Sequence, residues 1–368
     1  MGYIICHLYH FCGILSKLKN MSGGSFMENL KSIQPPFGNK IEHLREIVRN
    51  FEIGQVFLTA LELDVFSHLR TPLSGTDLAE KLGTRADLTL IFLDLLAGMQ
   101  LLTKTENHYC TARDVAPFLD KRSPYFARYL PLKANERSAL LEMNDIMHTG
   151  PKNPSEHKPH QFDREAIDWM ARTSLLGRLQ AAVDHVTRLP EFSRARRIID
   201  LGCGHGLFGI ALAQENPHLQ VVLFDKPEIT PIAQTYIDRY GLRDRVRVMS
   251  GDYTKDDIGV NYDMAFEACS FAGSNAEHRS FFQKIASVLS DAGLFIRLTY
   301  ILDDDHTGPL EPLIWELKNH LLGRNHGAAR TNAETFQLLW ESGLQGEKII
   351  DMSPWCFSPM RLIFSRKK

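Results

Sequence analysis

Hydrophobic positions in the first third of the chain follow the three- and four-residue spacing of amphipathic helices. A first stripe predicts one helix, and a short capped helix ending at Gly83 comes next. A longer apolar helix follows, and the alternating residues after it predict a hairpin that turns at Glu106 and Asn107. Together these elements predict a winged-helix-like domain over residues 27–120. The two stripes comprise Val56, Ala60, Leu63 and Phe66, then Leu88, Ile91, Phe92, Leu95 and Met99.

The longer helix is the one that would enter the major groove if this domain bound DNA. A helix that reads DNA needs Arg, Lys, Asn or Gln side chains to reach phosphates and base edges. This helix is rich in Leu, Ile and Phe instead, with Arg85 as a lone basic residue at its start. Packing or dimerisation is therefore favoured, and the formal net charge of −2 gives no reason to expect a nucleic-acid partner.

From residue 196 onward, short apolar runs alternate with helical segments. The runs are RIIDL, QVVLF, VRVMSGDY, YDMAFEACSF and LFIRLTYI. This alternation predicts a parallel sheet wrapped by helices, the doubly wound (Rossmann-like) α/β class, over residues 196–368. Residues 121–195 are predicted to form a helical linker with one irregular insert rich in Pro and His.

Composition bears on location more than on fold. A chain of 368 residues that is 44% hydrophobic can form two ordinary domains with their own cores. The six cysteines are scattered without paired spacing, which favours a reducing, cytoplasmic location. Residues 1–26 are apolar but too short and too interrupted to span a bilayer. We expect them to be a tail or a mis-assigned start, and we expect no membrane partner.

A glycine-rich turn, DLGCGHG, joins the first of these strands to the next helix. Glycines let the backbone pass close to a ligand, and the start of a helix offers free N–H groups. Asp225 then ends the second strand, where a ribose diol would lie. Asp252 and Tyr253 follow the third strand, where they can bracket an adenine. The form of the turn, D-x-G-x-G-x-G with an acidic residue entering it, and the position of Asp225 after it distinguish this motif from the G-x-G-x-x-G turn of dinucleotide-binding folds.

The glycine turn followed by Asp225, Asp252 and Tyr253 resembles the cofactor motifs of the class I S-adenosylmethionine-dependent methyltransferases. The resemblance implies that S-adenosylmethionine is the cofactor and that Asp225 binds its ribose hydroxyls. It also implies that Asp252 and Tyr253 face the adenine, and that Asp200 works around the cofactor's amino group. The glycines implied to lie along the amino-acid and ribose portions are Gly202, Gly204 and Gly206.

A winged-helix-like front half followed by such a core is similar to the caffeate and acetylserotonin O-methyltransferase family, including its bacterial small-molecule members. The likeness covers residue 51 to the C-terminus. It implies a homodimer joined through the front domain and a small-molecule substrate. It also implies that the segment FDREAIDWMARTS lines the substrate pocket, with Phe162, Trp169 and Met170 as candidates. Plain core packing of these three side chains is the open alternative.

The segment YDMAFEACSFAGSNAEHR departs from that family's pattern, which has a catalytic His-Asp pair followed by Trp. Ala272 and Gly273 stand in place of the pair, and Ser274 stands in place of the Trp. Thr299 replaces a family glutamate on the fifth strand. Neither alanine nor glycine can remove a proton from a phenol or an alcohol, so the usual base is absent.

Three explanations are open. In the first, the acceptor needs no base, as for a thioether, a thiolate, an ionised oxygen or an activated carbon. In the second, another residue acts as the base. In the third, the cofactor site is kept but methyl transfer is replaced by another reaction, or by cofactor sensing in a winged-helix regulator. We favour the first, because methyl transfer from a sulfonium is chiefly a matter of positioning. The candidate surrogate bases are Glu267, His278, Asp305, His306, His320 and His326. No metal is expected, since the spacing of His148, His157 and His160 fits no regular site.

Overall fold

The computed structural model describes residues 40–128, 130, 134–151, 163–324 and 329–368. The predicted tail, residues 1–26, lies outside them. The chain divides into two compact units, Met1–Ala60 and Leu61–Lys368. The helices are α1 (Lys40–Glu62), α2 (Val65–His68), α3 (Gly75–Leu82), α4 (Ala86–Gly98), α5 (Ala116–Leu119), α6 (Ala134–Leu141), α7 (Met143–Thr149), α8 (Arg164–Ser174), α9 (Arg178–Thr187), α10 (Pro190–Arg194), α11 (Leu207–Glu215), α12 (Thr230–Tyr240), α13 (Asn275–Val288), α14 (Leu310–Leu321) and α15 (Asn332–Glu341). The strands are β1 (Leu73–Ser74), β2 (Leu102–Thr105), β3 (His108–Thr111), β4 (Arg197–Leu201), β5 (Gln220–Asp225), β6 (Val246–Ser250), β7 (Tyr262–Ala268), β8 (Leu289–Tyr300), β9 (Leu344–Asp351) and β10 (Met360–Lys367).

The local signals in the front part of the chain act as predicted. The Ser74 side chain accepts the Asp77 N–H at the start of α3, and Gly83 ends that helix with a φ of 65°. Strands β2 and β3 form the predicted antiparallel hairpin, and β1 pairs with the outer side of β3. Glu106 takes a left-handed φ of 53° in the hairpin turn.

The predicted stripe on α4 does not face the core. Leu93 and Leu96 are buried, whereas Leu88, Ile91 and Leu95 are exposed, with 69% of the Ile91 surface accessible. A helix of this composition has more apolar surface than the short helices and the hairpin around it can cover. The exposed stripe is therefore an apolar face on the surface of the single chain.

Seven strands form the main sheet in the order β6-β5-β4-β7-β8-β10-β9. Strands β4 to β8 are parallel to one another, as the alternating pattern predicted. Strand β10 differs, because it runs antiparallel to both β8 and β9. The connection over residues 352–359 is too short for a helical crossover, so it can only return the chain beside β9 in the opposite direction.

Buried side chains pack on both faces of this sheet, in agreement with the doubly wound class. Ile198 and Ile199 are consecutive in β4 and point to opposite faces, one into each of two hydrophobic clusters. Helices α8 to α12 cover the first face, and α13 and α15 cover the second. The strand order reverses between β4 and β7. In open α/β sheets, ligands bind beyond the carboxyl ends of the strands at such a point.

Candidate active site

Two loops meet at this reversal point: the glycine turn after β4 and the segment 269–274 after β7. Leu201 and Glu267 are register partners in the two strands. The Ser270 hydroxyl oxygen lies 3.0 Å from the carbonyl oxygen of Leu201, which connects the two loops directly.

The three glycines of the turn all have left-handed φ angles, 62° at Gly202, 55° at Gly204 and 71° at Gly206. A Cβ on Gly202 would lie 2.2 Å from the Cβ of Ser270, so only glycine lets the two loops come this close. A Cβ added to Gly204 would make an ordinary van der Waals contact with Cδ1 of Ile167 at 3.9 Å. The middle of the turn is therefore less tightly packed than the position of Gly202.

Asp225, at the end of β5, faces this turn. Its Oδ2 accepts the Gly204 N–H at 2.7 Å, and its Oδ1 accepts the Lys226 N–H at 2.7 Å. Burial raises the pKa of this carboxyl against the effect of both hydrogen bonds. Gly204 and Asp225, which the sequence analysis placed in one cofactor site, are therefore neighbours in the fold.

Asp252 and Tyr253 lie beyond β6. Asp252 is partly exposed, and its carboxylate accepts from the Thr254 side chain and backbone N–H. Tyr253 packs its ring against Phe224 and donates its hydroxyl to the Ser270 carbonyl oxygen at 2.8 Å. Tyr253 therefore connects the β6 end to the loop after β7.

Asp200 lies deeper than its predicted role requires. It is almost fully buried, and its Oδ2 accepts the Gly209 N–H of α11 at 3.1 Å. Burial raises its pKa to about 7, and the negative charges of Asp225 and Glu267 act in the same direction. In this position the carboxyl holds the glycine turn against α11.

His205 is a residue of the turn that the sequence analysis missed, although its place inside DLGCGHG was a signal. Its Nδ1 accepts the Leu207 N–H at 3.0 Å, so Nε2 carries the proton and donates to the Ser174 hydroxyl at 3.1 Å. Burial lowers its pKa to about 3, and the nearby charge of Arg178 adds to this. The neutral ring ties α8 to the turn.

The predicted pocket residues fall on α8 or just before it. The Trp169 indole N–H donates to the Phe126 carbonyl oxygen at 2.9 Å. Met170 is half-buried and packs against the first core cluster. Phe162 lies outside the described residues.

Glu267 was a candidate base, but its environment is that of a structural ion pair. Its carboxylate lies 2.8 Å from Nε of Arg297 on the neighbouring strand β8, and both side chains are buried. Its Oε1 also accepts the backbone N–H groups of Ser270 and Phe271. The pair therefore fixes the course of the loop after β7.

His278 is also buried, on α13. Its Nδ1 lies 3.2 Å from the Ser274 carbonyl oxygen, so Nδ1 carries the proton. Burial lowers its pKa to about 3, with contributions from the positive charges of Arg297 and Arg330. Ser274, in place of the family's Trp, forms a capping box with Glu277 at the start of α13.

The other candidate bases lie farther along the chain. Asp305 is exposed and accepts from Thr307. His320 is exposed on α14, with Nδ1 against the Glu316 carbonyl oxygen at 2.9 Å. His306 lines a cavity of about 360 Å³ beside the start of α13. Thr299 lies opposite Arg361 of β10, and His326 is outside the described residues.

Two further findings concern the described part of the chain alone. It contains no group of three or more His, Cys, Asp or Glu side chains arranged to hold a metal ion. His148 bonds to the Asn144 carbonyl oxygen at 2.8 Å, while His157 and His160 lie outside it. None of its helices is long and apolar enough to cross a membrane.

Comparison with known proteins assigns this architecture. A family model of the O-methyltransferase domain matches residues 161–345, and one of the O-methyltransferase dimerisation domain matches residues 46–119. The chain belongs to the O-methyltransferase domain family. It is a methyltransferase that uses S-adenosylmethionine, and it carries the family's dimerisation domain ahead of the catalytic one.

Similar proteins have different acceptors. L-tyrosine C(3)-methyltransferase of Streptomyces lavendulae is 24% identical over 90% of this chain and 95% of its own. 3-Hydroxy-5-methyl-1-naphthoate 3-O-methyltransferase of Streptomyces sahachiroi is 23% identical over 84% of this chain and 91% of its own. The solved structure of human N-acetylserotonin methyltransferase with SAM has a TM-score of 0.67 and 20% identity, over 91% of this chain and 99% of that one.

Proposed function

We propose that this protein is a homodimeric enzyme that transfers the methyl group of S-adenosylmethionine to a small organic acceptor without a side-chain base in the loop after β7. The observation that carries the proposal is the hydrogen bond from the Gly204 N–H of the glycine turn to Asp225, at the carboxyl ends of β4 and β5 and beside the point where the strand order reverses. The acceptors named for the relatives, an amino acid and a hydroxynaphthoate, support a small organic molecule. The four described cysteines are unpaired, which supports a cytoplasmic location.

The chain's own residues fit this cofactor. Gly202, Gly204 and Gly206 would run along its amino-acid and ribose portions, with Asp225 accepting from the ribose hydroxyls. Asp252 and Tyr253 would face the adenine, where the carboxylate can accept from its amino group. Asp200 would act indirectly, because its hydrogen bond to Gly209 holds the glycine turn against α11. When bound, the cofactor supplies an electrophilic methyl group on a sulfonium sulfur. Once the methyl group is transferred, the rest of the cofactor leaves as a neutral thioether.

We propose that the domain around α3, α4 and the β2–β3 hairpin is a winged helix used for dimerisation. Its exposed apolar face at Leu88, Ile91 and Leu95 supports this, because apolar faces of this kind mark protein interfaces. The family's dimerisation model covers the same residues.

Base-free transfer is supported by the state of the two buried candidates. Oε1 of Glu267 accepts the backbone N–H groups of the loop, and its Oε2 lies 2.8 Å from Nε of Arg297 in a buried ion pair. The unprotonated Nε2 of His278 lies 3.5 Å from the guanidinium of Arg330. A general base must lie within hydrogen-bonding reach of the proton it removes, and neither group is free to do so. The role left to the loop is to orient the acceptor and exclude water.

The test is incubation of the protein with a small-molecule extract and methyl-labelled S-adenosylmethionine, followed by mass spectrometry. We expect one acceptor to gain one labelled methyl group, and fragmentation of the product to locate it on oxygen, sulfur or carbon. A folded protein that binds S-adenosylhomocysteine but labels nothing in extracts from several sources would count against methyl transfer. Failure to bind S-adenosylhomocysteine would overturn the cofactor site itself.

A further inference from the structure

The cavity of about 360 Å³ beside α13 is lined by both apolar and charged side chains. Its walls include the apolar side chains of Leu302 and Leu313, and two half-buried residues of opposite charge, Arg330 and Glu316. Its volume is within the range of cavities that hold small molecules. Its lining therefore combines apolar side chains with two charges of opposite sign.

The guanidinium of Arg330 is fixed by three contacts and still has capacity to bind. Its Nε–H donates to Oδ1 of Asn275 at 2.8 Å, and one Nη2–H donates to the Gly273 carbonyl oxygen at 2.7 Å. One Nη1–H points to Nε2 of His278 at 3.5 Å. A guanidinium has five N–H groups, so one remains on each terminal nitrogen. These two N–H groups can donate to the two oxygens of a carboxylate.

Neither charge has an ion-pair partner within the part of the chain that the structure describes. The ion pairs of α14 and the segment after it involve Lys318 and Arg324, both with Glu136. Arg330 and Glu316 line one cavity without forming a salt bridge to each other. Glu334 also lines the cavity, but its carboxylate accepts the Thr331 N–H in a capping box. Arg330 thus keeps unused N–H groups, and the half-buried carboxylate of Glu316 has no ion pair in this part of the chain, which points to a ligand that carries both charges.

The cavity also lies beside the loop after β7, which contacts the proposed cofactor site at its other end. Arg330 holds Gly273, one of the two residues that replace the family's His-Asp pair. Gly202 of the cofactor turn packs against Ser270 at the other end of the same loop. Ser270 and Gly273 both lie in the loop 269–274, which thus connects the cavity to the turn.

From these observations we infer that the cavity binds the zwitterion of an α-amino acid, with the carboxylate on Arg330 and the ammonium on Glu316. The side chain of the amino acid lies along Leu302 and Leu313. This inference rests on the proposed function and names its acceptor class. It also accounts for two opposite charges that share a cavity without pairing.

The experiment uses the full chain saturated with S-adenosylhomocysteine. The twenty standard L-amino acids are screened by thermal shift, and the strongest binder is compared by calorimetry with its decarboxylated amine and its deaminated acid. We expect both analogues to bind about ten- to a hundredfold more weakly, since each loses a hydrogen-bonded charge. No thermal shift from any amino acid, or analogues that bind as well as the parent, would overturn the inference.

Variants separate the two ends of the site. Glu316→Gln should weaken binding of the amino acid about tenfold and leave the deaminated acid unchanged. Arg330→Gln should remove the preference for the carboxylate. If that variant fails to fold because Gly273 is released, Glu316→Gln decides alone. Glu311→Gln, an exposed change on the same helix, is the matched control. Because S-adenosylhomocysteine binding is measured first, its failure in the wild type would be assigned to the proposed function instead.

Discussion

The backbone N–H of Gly204 donates to Oδ2 of Asp225 over 2.7 Å, which links the first two parallel strands above the sheet. Asp225→Ala removes this bond and the proposed contact to the ribose. We expect the Kd of S-adenosylhomocysteine to rise by about five- to 150-fold, measured by calorimetry.

The 2′-deoxy analogue of S-adenosylhomocysteine separates the two effects. If Asp225 contacts the ribose, wild-type protein should prefer the natural ligand and Asp225→Ala should lose this preference. Asp244→Ala is an exposed acidic control. Retention of the full preference in Asp225→Ala would contradict the ribose role.

Gly202→Ala tests the contact between the two loops. Alanine there has both a left-handed φ and a Cβ against Ser270, whereas Gly241→Ala has a similar φ of 67° with nothing nearby. We expect Gly241→Ala to cost about 1–2 kcal/mol of unfolding free energy and Gly202→Ala to cost more. Only Gly202→Ala should also weaken S-adenosylhomocysteine binding. Equal effects of the two variants in denaturant unfolding and calorimetry would show that the contact is unimportant.

Asp200 should make stability depend on pH in an unusual direction. Its pKa is about 7 in the fold, above its value of about 3.9 in an unfolded chain. The folded state therefore holds the proton more tightly. The stabilisation from Asp200 is complete below pH of about 4 and is lost as pH rises through 7.

The comparison is the unfolding free energy of wild type minus that of Asp200→Asn, measured between pH 4 and 8. We expect this difference to fall by roughly a few kcal/mol as pH rises. His205 and His278, whose pKa values are lowered, act in the opposite direction but cancel in the difference. A difference that is constant with pH would mean that Asp200 is ionised throughout.

The features that could be predicted from the sequence are formed by residues close together in the chain. The capped helix ending at Gly83, the hairpin turn at Glu106 and the turn facing Asp225 each arise from a short motif. Strands β9 and β10 lie beyond the five predicted apolar runs and were missed. The reversal of β10 could not have been predicted in any case, because an apolar strand has the same pattern in either direction. The pair of Glu267 with Arg297 was missed as well, because it joins residues on two strands whose register cannot be read from spacing.

The exposed face of α4 should hold two copies of the chain together. Ile91→Glu places a charge in the middle of this face, and we expect light scattering to return the single-chain mass of 41.9 kDa. Wild type and the exposed control Lys81→Glu should return twice that mass. A dimer of Ile91→Glu at micromolar concentration would locate the interface elsewhere.

Base-free transfer predicts a turnover rate that is flat between pH 6 and 8, since no neutral histidine has to form. With the identified acceptor, replacing His278, His306, His320 or His326 by Gln should each change turnover only slightly. Ala272→His should give no gain. A rate that rises with pH, together with about a hundredfold loss in one of these variants, would identify a surrogate base.

The loop after β7 is held by its main chain. Arg297 donates to the Phe271 carbonyl oxygen, Arg330 donates to that of Gly273, and Glu267 accepts two backbone N–H groups. Side chains at positions 272 and 273 contribute nothing to this anchoring. A larger side chain at position 272 therefore leaves these anchoring bonds in place. A Cβ on Gly273, in contrast, would lie 2.9 Å from Oε2 of Glu277, so a side chain there has to displace the capping box of α13.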